Sequence, residues 1–132
     1  MVEQAKPRVI VYDDHSYYEG HDSVYLGYVK KAAQNNGWQA LGFDDLESAV
    51  EEFDDTSKAL VTILSTTGII ESIAKPLFEK SESLFIPRAV IAKNSLINLS
   101  VRRGSSDIAI NISKEKDIPL RISSWLISIE AS

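Results

Sequence analysis

The chain has 132 residues, 44% of them hydrophobic and 25% charged, with no cysteine and a formal net charge of -5. That length suits one domain, which buries roughly 68% of its unfolded surface and needs no metal or disulfide staple, and the lack of cysteine excludes disulfides, thiolate zinc sites and thiol nucleophiles. The acidity argues against a nucleic-acid binder, because Arg102-Arg103 is the only tight basic cluster and is too small to grip a phosphate backbone.

Residues 1–7 read as a polar tail or linker, and residues 8–130 as a single domain. Val9 to Tyr12 is a β-branched run that stops at Asp13-Asp14, as expected of a strand buried on both faces. A polar loop from His15 to His21 leads to a helix over about Asp22 to Asn35, which Asp22 or Ser23 can cap, with Tyr25, Val29, Ala32 and Ala33 on its inner face and Asn36-Gly37 ending it. Trp38 to Phe43 reads as the second strand. Asp44, with Glu47 three residues on, is the expected cap of the next helix, whose core side is Leu46, Val50 and Phe53. Lys58 to Leu64 is the third strand, and Ser65-Thr66-Thr67-Gly68 turns into a third helix that Pro76 should kink or end.

Phe85 to Ala92 reads as the fourth strand, with Pro87 near its start. Asn94 or Ser95 caps a fourth helix closed by Gly104, and Ile108 to Ile112 is the fifth strand. Asp117 caps a last helix with Pro119 in its first turn and Ile122, Leu126 and Ile129 as its buried stripe. Strands alternating with helices predict an α/β fold: a doubly wound, flavodoxin-like parallel sheet of five strands in the order 2-1-3-4-5, with helices on both faces. No apolar run approaches the roughly 18 residues of a membrane span, and Met1 to Arg8 lacks a signal-peptide core. The expectation is a cytoplasmic domain that neither binds nucleic acid nor inserts in a membrane. The polar tail and the abrupt end at Ser132 read as excision from a longer protein.

In such sheets the site lies at the carboxyl ends of the strands. There the chain places Asp13-Asp14, Ser65-Thr66-Thr67, Ala92-Lys93-Asn94 and Ser113-Lys114. The run Val9-Ile10-Val11-Tyr12-Asp13-Asp14-His15 resembles the opening of the CheY-like response-regulator receiver family, in which an acidic pair holds magnesium. Ile86 to Ile91 and Arg103 to Ile110 are similar to its fourth strand and its turn into the fifth. The departures matter more. The family needs an aspartate at the end of strand three, as nucleophile toward a phosphoryl group. Here no aspartate or glutamate lies between Lys58 and Gly68, and Asp54 and Asp55 stand before the strand, at the wrong end of the sheet. Ala92 stands where the family has Ser or Thr after strand four. Ser113 stands at the lysine position after strand five, with Lys114 one further on.

The resemblance therefore implies a degenerate member, a pseudo-receiver that keeps the fold as a docking surface. The expected function is a non-enzymatic interaction domain of a two-component signalling protein, either a sensor kinase or a transcription regulator. Its partner would be another protein, a neighbouring domain of the same protein, or a second copy in a homodimer. No cofactor is expected. Asp13 and Asp14 form at most a vestigial, weak magnesium site, the bland reading being one loop cap and one solvated carboxylate. His15 and His21 with that pair are better read as solvated loop residues than as transition-metal ligands.

Ser65, Thr66, Thr67 and Gly68 are the candidate anion site, because hydroxyls and free N–H groups at a helix start can hold a phosphate. That is the alternative reading: a flavodoxin-like small-molecule or phosphate-binding domain. The simpler account is a capped helix, with Thr67 as the cap. Arg102, Arg103 and Arg121 are the candidate interface, since they fall near the family's common dimer and output face. Tyr17 and Tyr18 in the first loop can add contact area. No catalytic triad, glycine-rich fingerprint or phosphate loop is apparent.

Overall fold

The computed structural model describes residues 6–14, 23–64, 74–92 and 106–131. Its elements are β1 (Arg8–Asp13), α1 (Val24–Asn35), β2 (Gln39–Phe43), α2 (Leu46–Glu52), β3 (Ser57–Ile63), α3 (Lys75–Ser83), β4 (Arg88–Ala92), β5 (Ile108–Asn111), a short 3-10 turn (Glu115–Asp117) and α4 (Ile118–Ala131). The sheet runs β2-β1-β3-β4-β5 and every pairing is parallel. This is the predicted flavodoxin-like order. The helix expected over residues 94–104 and the segment 65–73 lie outside the described residues.

The sheet separates two cores. Val9, Val11, Ala59, Val61 and Ile63 pack against α1 and α4, which supply Leu26, Val29, Ile118, Ile122 and Leu126. Ile10, Tyr12, Leu60 and Val90 face α2 and α3, which supply Ala49, Leu77 and Phe78. The central strands are thus apolar on both sides, which is why they read as continuous hydrophobic runs.

Several local readings shift. Leu26, rather than Tyr25, is the buried residue in the first turn of α1, and Tyr25 is half-buried. Ser23 caps that helix, accepting a hydrogen bond from Leu26 N at 3.2 Å. Asp45, not Asp44, caps α2, its carboxylate accepting from Ser48 N at 3.0 Å and Ser48 Oγ at 2.7 Å. The cap is set by which side chain can reach the N–H three residues on, and Asp45 has that reach. Pro76 lies in the first turn of α3, where its missing N–H is unneeded. The C-terminus of α1 follows the expected pattern: Gly37 takes a φ of 75°, and Trp38 N donates to Ala33 O at 2.8 Å.

β4 starts at Arg88 rather than at Phe85, and its first residue carries an ion pair inside the protein. Arg88 Nε and Nη2 donate to Asp107 Oδ2 at 3.0 and 2.8 Å, and the Arg88 backbone N–H donates to Asp107 Oδ1 at 3.0 Å. The side chains are 4% and 1% exposed. The guanidinium also lies 5.2 Å from the Phe78 ring centroid and 3.6 Å from Glu82 Oε1. Removing one partner strands a buried charge, the expensive way to break such a pair. Asp107→Ala should therefore lower stability by about 3–5 kcal/mol in urea unfolding. An apolar replacement of both, Arg88→Met with Asp107→Leu, should recover much of that loss.

Candidate functional site

β1 delivers Asp13 to the carboxyl edge of the sheet. Alternation along the strand turns it toward α1, on the same side as Val9 and Val11. Asp13 is fully buried and Asp14 is 5% exposed. Ser23 Oγ donates a hydrogen bond to Asp13 Oδ2 while accepting from Leu26 N. One hydroxyl thus ties the acidic end of β1 to the first turn of α1. The sequence named both aspartates, and Ser23 as a candidate cap, but not the bond between Ser23 and Asp13, because nothing in its spacing joins residues ten apart across a loop.

The register fixes what stands beside this carboxylate. Asp13 pairs with Ile63, the last residue of β3, and Ile63 pairs with Ile91 of β4. Leu64 follows, its N–H donating to Ile91 O at 3.0 Å. Ile63 and Leu64 are both fully buried. The last polar side chain of β3 is Thr62, whose buried Oγ1 has no hydrogen-bond partner. β4 ends on buried Ala92, whose carbonyl accepts from Ile112 N at 2.8 Å.

The loop after β5 is held by side chains. Asn111 Oδ1 accepts from Ser113 N at 3.0 Å and Ser113 Oγ at 2.9 Å. Lys114 is exposed. Tyr28 of α1 donates its hydroxyl to Glu115 Oε1 at 2.8 Å, a link between residues 87 positions apart. That bond, with lesser help from desolvation, raises the Tyr28 hydroxyl above its usual value of 10.0. Tyr28 is half-buried and clamps the turn that leads into α4.

A magnesium ion needs hard oxygen donors, and its common protein sites use one or two carboxylates plus water or substrate oxygens. The described residues supply Asp13 and Asp14, but an apolar pair stands where a third carboxylate would meet them. No group of three His, Asp or Glu side chains comes together among the described residues. Among the described residues the oxygen donors at this strand end are the two carboxylates of Asp13 and Asp14.

Arg121 is the one predicted interface residue within the described part. It is exposed, and Nη1 donates to Ala109 O of β5 at 3.0 Å. It lines a groove of about 500 Å³ with Asp107, Ile108, Leu120, Ser124 and Trp125, between the start of β5 and α4. Leu120 is 72% exposed there, and Trp125 Nε1 donates to Ser106 O at 2.8 Å. Ser65, Thr66, Thr67, Gly68, Arg102 and Arg103 lie outside the described residues, as do His15, His21, Tyr17 and Tyr18. No described helix is long and apolar enough to cross a membrane.

No family model matches the chain, and no curated protein sequence matches it. Among solved structures the chain is similar to the crystal structure of FixJ-N, with a TM-score of 0.52, 16% identity, and coverage of 92% of this chain and 96% of that one. At this identity the likeness shows the fold, which is receiver-like.

Two predictions follow from the geometry around Asp13 and Glu115. Ser23→Ala removes a cap and the donor to a buried carboxylate together, and should cost about 2 kcal/mol in denaturant unfolding. A tyrosine hydroxyl raised in the folded state contributes stability below its unfolded pKa, and that contribution is lost as pH rises through the folded value. The Tyr28 contribution should therefore persist at neutral pH and disappear above pH 10.0. Tyr28→Phe should abolish that alkaline step in a pH series of melting temperatures.

Proposed function

We propose that this chain is a receiver-like protein-interaction domain of a two-component signalling protein, a sensor kinase or a transcription regulator, and that it is not phosphorylated on aspartate and is not an enzyme. The observation that carries the reading is the pairing of Asp13 with Ile63, followed by buried Leu64. Acyl-phosphate formation needs a carboxylate nucleophile at this strand end, with a cation to neutralise the developing charge. Here the position beside the acidic pair is hydrocarbon. Ala92 at the end of β4 offers no hydroxyl to a phosphoryl group, and Asn111 spends its side-chain oxygen on Ser113.

Without the covalent switch, the domain works by binding. A partner that prefers one conformation shifts the population toward it. The partner is a neighbouring domain of the same protein or a separate protein, with a second copy as the alternative. The groove beside Arg121, with exposed Leu120 over buried Trp125, is the described part of the contact surface. The cofactor complement is empty, apart from weak magnesium at Asp13 and Asp14 at most, and the domain acts in the cytoplasm.

An amide NMR titration tests this, first with magnesium and then with magnesium plus beryllofluoride, which mimics an aspartyl phosphate. The expected result is that amides at Asp13, Leu64 and Lys114 do not move. Saturable shifts at those amides that spread to Arg121 and Trp125 would overturn the reading.

A further inference from the structure

The strand-start rim of the sheet, opposite Asp13, carries a residue whose position works against stability twice. α3 stops at Ser83, Leu84 follows as its cap, and Phe85 comes next with a φ of 56°. The Phe85 N–H donates to Glu82 O at 3.2 Å, and the Ile86 N–H reaches back to Ser81 O at 2.9 Å. This is a helix-ending motif whose left-handed position glycine fills without strain. A bulky aromatic at that position is an outlier, and such outliers gather at functional surfaces. The ring is not repaid by burial either, since Phe85 is 88% exposed. Half-buried Leu84 and Pro87 flank it.

The ground around Phe85 is acidic. Glu51 and Glu52 close α2, Asp54 and Asp55 precede β3, and Glu79 and Glu82 stand on the last turns of α3. Residues 51–57, between the end of α2 and β3, hold four carboxylates and no lysine or arginine. Several nearby cations are engaged: Arg8 with Glu52 at 2.6 Å, Lys80 Nζ with Val50 O at 2.8 Å, and Arg88 with Asp107. Lys58 at the start of β3 offsets part of the charge. Hydrogen bonds from Thr56 hold the Asp54 carboxyl below the usual carboxylate range, so it stays ionised at neutral pH.

We propose that Phe85 is the anchor of a second protein-docking surface, its ring entering an apolar pocket with a basic rim on the partner. Exposed aromatics make effective interface anchors because they bury a large area with few rotatable bonds. Charge complementarity selects the basic partner and disfavours a second copy of this chain, which would set carboxylates against carboxylates. The surface is at the other end of the sheet from the Asp13 site, and it holds whether or not the chain accepts a phosphoryl group.

The test compares the wild-type chain with Phe85→Gly and Phe85→Ala. Two synthetic peptides serve as probes, one alternating lysine with leucine and one alternating lysine with serine. Relief of the left-handed strain should raise the Tm of Phe85→Gly by about 4 °C. The lysine–leucine peptide should shift amides at residues 51–55 and 79–87 of the wild-type chain, and both variants should bind it about tenfold more weakly or worse. Phe85→Ala should show that loss without the gain in Tm. A fall in Tm for Phe85→Gly would make the ring a structural element and overturn the proposal. Variants that bind like wild type would overturn it too, as would equal binding of the lysine–serine peptide.

Discussion

The parallel pairing of β1 with β3 is the constraint on which the rest of this molecule depends. It sets Asp13 beside Ile63 at the carboxyl edge of the sheet. β1 is hydrogen-bonded on both sides, to β2 and β3, and sandwiched between two cores, so its register has little freedom. A slip of one residue would turn Val9 and Val11 away from α1 and α4 and exchange the two apolar sets. The neighbour of Asp13 is therefore held by most of the hydrophobic energy of the domain.

A buried carboxylate in such a place needs a reason to remain. Ser23 supplies one, because its hydroxyl bonds Asp13 while capping α1. The acidic pair that would hold a cation in a related fold is at least half explained here by structure alone. Asp13 links the end of a central strand to the start of the helix that covers it. The same helix reaches the far edge through Tyr28 and Glu115, and contacts α4 through Asn36 Nδ2, which donates to Ser123 Oγ at 2.7 Å. The edge is tied together by side chains whose roles are positional.

How much of this was legible depended on the range of the interaction. The central strands showed themselves because burial on both faces leaves an unbroken β-branched run, as in Val9 to Tyr12. Helix ends were legible to within a residue, since caps act over three or four positions; the exchange of Asp44 for Asp45 is that margin. Pro76 shows why a helix start is harder to read: proline is as much at home in the first turn as it is disruptive inside a helix, and sequence alone does not tell which turn it occupies. Ser23 with Asp13, Tyr28 with Glu115, and Arg88 with Asp107 were hidden, because each joins residues that only the tertiary fold brings together. A charged residue opening an apolar strand, as Arg88 does, was the available signal for the last pair. Charge at such a position requires a buried partner.

Buried charge is bonded internally at both ends of the sheet. At the carboxyl edge Asp13 accepts from Ser23, while Asp44, Asp45 and Lys114 are exposed. At the strand-start rim the Arg88–Asp107 pair anchors β4 and the approach to β5, while Glu51, Glu52 and Asp55 are exposed. That pair is only a few residues from Phe85, and Glu82 touches Arg88 while also flanking the exposed ring. A rigid, fully bonded base under a strained, solvent-facing aromatic is what a binding anchor needs, because the ordering cost is met before the partner arrives. Beside Asp13 the carboxyl edge presents buried Ile63 and Leu64. The opposite rim keeps an aromatic exposed against the interest of stability, and selection for folding alone would have put glycine there.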